Sequence, residues 1–368
     1  MPLMVVIASF RHRNYRNNRI RETKSNNCRK RKAKVSQPSS SSAAVSPKTV
    51  LKKSKVLERA RAVTLIYCPL HLGGPHAGAS MGPAAMKVAS VVSKIEKIGF
   101  KIAREVDIPV PETLCWWEES TNQARCVPEI GQVSLAVAQA VEEAMEAGTI
   151  PITLGGDHSL AIGSIAGASN FYRKRKEEFA VVWFDAHGDI NTPESSNSGN
   201  VHGMPFAVSL GDGDERLVNL LGFSPKVKAS RCALIGIRDL DIAEIQLIEK
   251  SGITPFTMRD LDDLGMAAVI RDALAAVRKD DESAPPLKGL HVSFDLDVID
   301  PDVAPGVSTA SRGGLSYRES HYALELLADT GMVASIDIVE LNPARDIRNQ
   351  TAELAVDLVQ SALGKNIL

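Results

Sequence analysis

The sequence predicts an α/β protein, a three-layer α-β-α sandwich around a mostly parallel sheet of about eight strands. Three observations carry that expectation. Short apolar runs such as Val63–Cys68, Ile150–Leu154, Val181–Phe184 and Val333–Ile338 read as buried strands. Between them lie segments with apolar residues at helical spacing, several closed by glycine, as at Gly99 and Gly148. At 368 residues the chain is long enough to bury a sizeable core under helices on both faces.

Residues 1–61 stand apart as a basic, disordered N-terminal extension. They hold 17 Lys/Arg against two acids, which leaves 26 Lys/Arg against 42 acids in residues 62–368. The folded part is therefore acidic and offers no global basic face for nucleic acid. In the arm, the apolar stretch Met4–Phe10 precedes the Arg-rich part, the reverse of a secretory signal. Scarce acids with abundant Arg and Ser resemble a mitochondrial presequence, and a nucleic-acid tail is the other use for such an arm. No run approaches the length of a membrane span. The five cysteines are scattered and odd in number, which suggests no disulfide framework and favours a reducing compartment.

From Ala62 the elements follow in order. Val63–Cys68 is a strand, and a Gly-rich loop leads to Pro83, suited to the first turn of a helix. Met86, Val88, Val91, Val92, Ile95 and Ile98 mark the buried side of that helix up to Gly99. Residues 101–107 make a strand, 108–130 a surface excursion, and Val133 to Met145 a helix. After the strand Ile150–Leu154 comes a helix to about Arg175 and then the strand Val181–Phe184. A long polar loop, 191–205, follows. Strands at 232–236, 253–257 and 291–294 alternate with helices at 241–250 and 263–279. A loop over 299–316, a helix over 317–329, the strand Val333–Ile338 and an amphipathic helix from Asn349 or Thr351 close the chain.

Three apolar runs end in groups that could bind a metal. Asp185, His187 and Asp189 follow Val181–Phe184, and side chains two apart on an extended chain point the same way. Asp295 and Asp297 repeat that spacing after the strand 291–294, and His158 follows Ile150–Leu154. Taken singly, such acids also serve as helix caps, and a lone histidine as a buried structural group. Together they sit where ligands bind in open parallel sheets, beyond the carboxyl ends of the strands. Four carboxylates and two imidazoles would over-supply one divalent ion, and two such ions balance the charge. Mixed oxygen and nitrogen ligands without thiolate fit Mn²⁺ better than structural Zn²⁺. Two adjacent ions sharing a water make hydroxide available near neutral pH, which is machinery for hydrolysis. Asp157, beside Ser159, reads as a helix cap or as a partner of His158.

In this order the three motifs resemble the arginase/ureohydrolase family over roughly residues 62–366. The resemblance implies an arginase/deacetylase-like fold and two Mn²⁺ per subunit, held by His158, Asp185, His187, Asp189, Asp295 and Asp297. It implies hydrolysis of L-arginine to L-ornithine and urea by a metal-bridging hydroxide, with Asp189 orienting it. Asn191, Ser198 and Asn200 would bind the substrate carboxylate, Asp241 its α-amino group, and Thr309 would add a contact. Glu340 would pair with the guanidinium and His202 would shuttle protons. Trimers or hexamers are common among similar proteins, so a homo-oligomer is expected, in the cytoplasm or, with a working presequence, the mitochondrial matrix. One segment departs from the family pattern: in Gly306-Val307-Ser308-Thr309-Ala310-Ser311-Arg312-Gly313-Gly314 the usual Gly and Pro beside the threonine are replaced and Arg312 is added. The alternatives are a ureohydrolase for agmatine or guanidinobutyrate, and a non-catalytic arginine- or metal-binding protein.

Overall fold

A computed structural model describes residues 62–113, 124–278 and 285–365. The predicted basic arm therefore lies outside the described residues. Eight strands are described: β1 (Ala62–Cys68), β2 (Lys101–Asp107), β3 (Ile150–Gly155), β4 (Glu178–Phe184), β5 (Cys232–Ile237), β6 (Thr254–Thr257), β7 (Leu287–Asp295) and β8 (Val333–Val339). They form one sheet in the order β2-β1-β3-β8-β7-β4-β5-β6, with every neighbouring pair parallel. The helices are α1 (Gly82–Val88), α2 (Val91–Lys97), α3 (Val127–Glu146), α4 (Ala161–Lys174), α5 (Pro205–Leu210), α6 (Glu215–Val218), α7 (Ile242–Ser251), α8 (Met258–Leu264), α9 (Met266–Val277), α10 (Tyr317–Asp329) and α11 (Gln350–Ala362).

Burial explains the strand sequences. All of β3 and β5, and all of β4 after Glu178, are buried, so these strands are near-continuous apolar runs. One face packs on α1, α2, α9, α10 and α11. The other packs on α3, α4 and α5, which makes the predicted three layers. The edges are blunted: β2 carries Lys101, Arg104, Glu105 and Asp107 and is largely exposed, and β6 is short and holds Pro255.

Some local expectations are corrected. The single helix expected up to Gly99 is α1 and α2, broken at Ser90, whose φ is +65°. Val88, expected on the buried side, is 77% exposed beside that break. The helical spacing runs through because both pieces face the same layer. The helix α3 begins at Val127, six residues early, with Pro128 in its first turn, so the predicted excursion is shorter. The helix expected over 263–279 is split at Gly265, at φ +78°. Two helices, α5 and α6, were not expected; Phe206, Ala207 and Val208 of α5 are buried. Cys126 is disulfide-bonded, while Cys68 and Cys232 are free and buried. Nothing in the cysteine spacing had marked a bridge.

Candidate metal centre

The strands β3, β8, β7 and β4 are consecutive neighbours, so their carboxyl ends lie side by side. Phe184 pairs with Phe294, so Asp185 and Asp295 leave the sheet at one level. The chain leaves β3 through Gly156, where a Cβ would lie 2.0 Å from the Leu70 carbonyl oxygen. Only glycine permits that approach, and it seats the turn carrying His158 against the loop that follows β1.

His158 Nδ1 lies 3.1, 3.0 and 3.1 Å from Oδ2 of Asp185, Asp189 and Asp295. None of the three is aligned as a hydrogen-bond acceptor, and Nδ1 is buried without a partner. Three carboxylate oxygens around one imidazole nitrogen is how ligand atoms surround an ion. His187 Nδ1 lies 3.3 Å from Asp185 Oδ1 and 3.1 Å from Asp297 Oδ2. Two groups could therefore hold a metal: His158, Asp185 and Asp295, with Asp189 alongside, and Asp185, His187 and Asp297. Asp185 belongs to both, presenting Oδ2 to the first and Oδ1 to the second.

Further bonds orient these groups. Trp183 stacks on the His158 ring at 4.1 Å and donates from Nε1 to Asp185 Oδ2 at 3.0 Å. His158 Nε2 lies 2.8 Å from Ser293 Oγ, which fixes the ring so that Nδ1 faces the carboxylates. Asp297 accepts from the Ala186 amide at 3.2 Å and from the Thr309 hydroxyl at 2.9 Å. Sequence reasoning missed Ser293 and Trp183, yet each precedes a predicted ligand by two residues, so the same spacing that found Asp295 and Asp185 would have found them.

Crowding of buried carboxylates sets the electrostatics. Burial, and then the Asp185 charge, push Asp189 up to about 8. Burial with Asp297 and Asp185 raises Asp295 well above the usual carboxylate range. Burial would raise Asp185 too, but His158 and His187 outweigh it and hold it low. Burial would lower His158 and His187; the carboxylates around them win and raise both. Such a cluster calls for positive charge. Asp189 and Glu340 also hold φ values of +49° and +63°, rare for non-glycine residues and costing about 1–3 kcal/mol each.

Glu340 follows β8. Its Oε1 accepts from the His158 amide at 2.9 Å and lies 3.0 Å from His202 Nδ1, while Oε2 is buried without a partner. Burial would lower His202, but Glu340 outweighs it and lifts it to about 9. Asp157 acts as a cap: it accepts from the Ser159 amide at 3.0 Å, and from the Gly73 amide at 2.8 Å. The Gly73 carbonyl in turn accepts from the His202 amide at 3.0 Å.

The six predicted ligands thus come together. Asn191 donates to Asp241 Oδ2 at 3.0 Å and accepts from Ser195, a residue the sequence reading passed over. Asp241 also caps α7 through Oδ1. Ser198 is exposed and accepts from the Asn200 amide at 3.2 Å, and Asn200 Oδ1 is buried without a partner. The Thr309 hydroxyl donates to Oδ2 of Asp297, one of the predicted ligands.

Comparison with known proteins gives a consistent result. Residues 61–364 match the sequence model described as "Arginase family". The chain is 44% identical over 306 residues to an arginase of Brevibacillus brevis, a match covering 83% of this chain and 99% of the relative. It is 42% identical over 308 residues to one of Bacillus subtilis, covering 84% and 99%. Among solved structures, the arginase of Bacillus caldovelox superposes with a TM-score of 0.77 at 40% identity, covering 83% of this chain and 99% of that one.

Proposed function

The chain belongs to the arginase family, and from that premise we propose that it hydrolyses the guanidinium group of L-arginine to L-ornithine and urea with two Mn²⁺ ions. The observation that carries the reading is the pair of adjacent ligand groups sharing Asp185. Their oxygen and nitrogen donors, their net charge and the orphaned His158 Nδ1 fit two hard divalent ions. When bound, such ions supply Lewis acidity and a water acidified toward neutrality.

The chain's own residues do the rest. Glu340 Oε2 is a buried acceptor in need of a donor, and a guanidinium N–H supplies a charge-assisted one. Oε1 ties Glu340 to the His158 turn, so a guanidinium bound to Oε2 would lie beside the predicted ligand carboxylates. His202, charged at neutral pH beside Glu340, would hand a proton to the leaving amine. Asp189, whose Oδ2 lies 3.0 Å from His158 Nδ1, would orient the attacking water and accept its proton. Asn191, Ser198 and Asn200 offer hydrogen bonds to the substrate carboxylate, and Asp241 a charge to its amino group; Thr309 acts through Asp297.

The test is urea release from Mn²⁺-loaded protein with arginine, agmatine and guanidinobutyrate compared side by side. Arginine turned over far faster than agmatine, which lacks the carboxylate, is the expected result. No urea from any of the three sinks the reading, and a preference for agmatine moves it to another ureohydrolase.

A further inference from the structure

Arg238 has no part in the chemistry above, yet every N–H of its guanidinium is used. Nε donates to the Arg312 carbonyl at 3.2 Å, and Nη1 to the carbonyls of Gly236 and Val298 at 3.2 and 3.1 Å. Nη2 donates to the carbonyls of Asp297 and Ser311 at 2.7 and 2.8 Å. Five donors thus meet five backbone acceptors, which saturates the group. None of these bonds goes to a carboxylate, unusual for a cation beside an acidic site.

The five carbonyls come from three segments: the end of β5, the turn that carries Asp297, and the loop 311–312. That loop belongs to the stretch where this sequence replaces the family's Gly and Pro beside Thr309. Glycine at 314 makes room for the clamp, since a Cβ there would lie 2.6 Å from Arg238 Nη2. Asp300 fastens the same loop by accepting from the amides of Gly313 and Gly314 at 2.8 and 3.2 Å. The backbone on either side of Arg238 also touches the other ligand strand. The amides of Arg238 and Asp239 donate to the Ala186 carbonyl at 2.8 and 3.0 Å, and the Ala186 amide donates to Asp297 Oδ1. Ala186 lies between Asp185 and His187.

We propose that Arg238 is a positioning residue for the outer ligand group, Asp185, His187 and Asp297, and that it sets the affinity of that group for its ion. It locks the Asp297 backbone and the loop carrying Thr309, whose hydroxyl fixes Asp297 Oδ2. The inner group, around His158, is oriented instead by Trp183 and Ser293. The inference rests on the two-metal reading above.

The test uses the full chain with Arg238→Lys and Arg238→Gln. Lysine keeps the charge, but a single ammonium cannot span five carbonyls in a plane. Metal-stripped protein is titrated with Mn²⁺ and bound metal is counted. Both variants should hold one ion as the wild type does and bind the second on the order of 10–100-fold more weakly. Excess Mn²⁺ should restore kcat, with KM for arginine unchanged. Without metal, amide exchange over residues 311–315 should quicken in both variants. A Lys variant identical to wild type in both readouts overturns the clamp and leaves charge as the cause. Loss of both ions together, or of the fold, makes Arg238 a scaffold residue and overturns the selective claim. A wild-type chain that binds no Mn²⁺ fails the metal-centre reading itself.

Discussion

Asp185 is the residue on which the two ligand groups meet, each taking one of its oxygens. Removing its charge should therefore cost both ions, whereas removing that of Asp297 should cost the outer one alone. Asp185→Asn is expected to carry less than one Mn²⁺ per chain after dialysis, with turnover falling by more than the roughly 10–100-fold typical of supporting residues. Asp297→Asn should retain about one ion. Two ions retained by Asp185→Asn, counted by elemental analysis, would show that the bridge is misassigned. His202 makes a different prediction, because its side chain pairs with Glu340 and not with a predicted ligand carboxylate. As a proton carrier it should be worth about 10²–10⁴-fold in kcat, so His202→Asn should slow turnover and leave metal content intact. Its pairing with Glu340 also couples to stability. The folded-state pKa is raised from 6.5 to about 9, while the hydrogen bond and charge of His202 outweigh burial and keep Glu340 ionised. The pairing is thus fully felt below 6.5 and is lost as pH rises through 9. The melting temperatures of wild type and His202→Asn should accordingly converge across that window. A gap that stays constant would mean that His202 is neutral throughout.

The helix α7 is where a structural and a functional reading of one residue can be separated. Asp241 caps it in a reciprocal arrangement with Glu244, at 2.9 and 3.2 Å, and its other oxygen accepts from Asn191. Asp241→Ala should cost about 1 kcal/mol through the lost cap, with a rise in KM for arginine. Asp241→Ser keeps a capping oxygen and drops the charge, so it should recover the stability and still show the higher KM. If serine restored both, the cap would be the whole role. This double use also shows what a sequence can and cannot disclose. The ligands after β3, β4 and β7 were legible because a buried parallel strand is an apolar run, and the polar residues that end it stand out. Strand order left no such trace, but the rule that ligands gather beyond strand ends replaced it. The breaks at Ser90 and Gly265 were hidden because apolar spacing continues across them, set by the layer both helices cover and not by the backbone between. The five bonds of Arg238 were hidden for another reason: their acceptors are main-chain carbonyls up to 74 positions away, which carry no residue signature.

At the scale of the molecule, the fold brings the four predicted ligand acids to one end of the sheet, and this links metal binding to folding. The strands β3, β7 and β4 come from distant parts of the chain, so the unfolded protein offers no such cluster, and ions that bind the folded form alone must stabilise it. At a free Mn²⁺ concentration of 100 times Kd, each ion adds about 2.7 kcal/mol, or roughly 5 kcal/mol for two. For a domain of this size, about 2–4 °C of melting temperature accompanies each kcal/mol, so chelation should lower the melting point by on the order of 10 °C. Relief of carboxylate repulsion acts in the same direction, since Asp189 and Asp295 resist ionisation where they stand. The arm should be irrelevant to this, because the family match begins at residue 61 and the ligands all lie beyond it. Protein lacking residues 1–61 should therefore melt, lose metal and recover it with Mn²⁺ as the full chain does. Scanning calorimetry with and without chelator on both forms decides the matter. A melting point indifferent to chelator in both would mean that the carboxylate cluster is held by hydrogen bonds and protons alone, and the two-ion centre would fall with it.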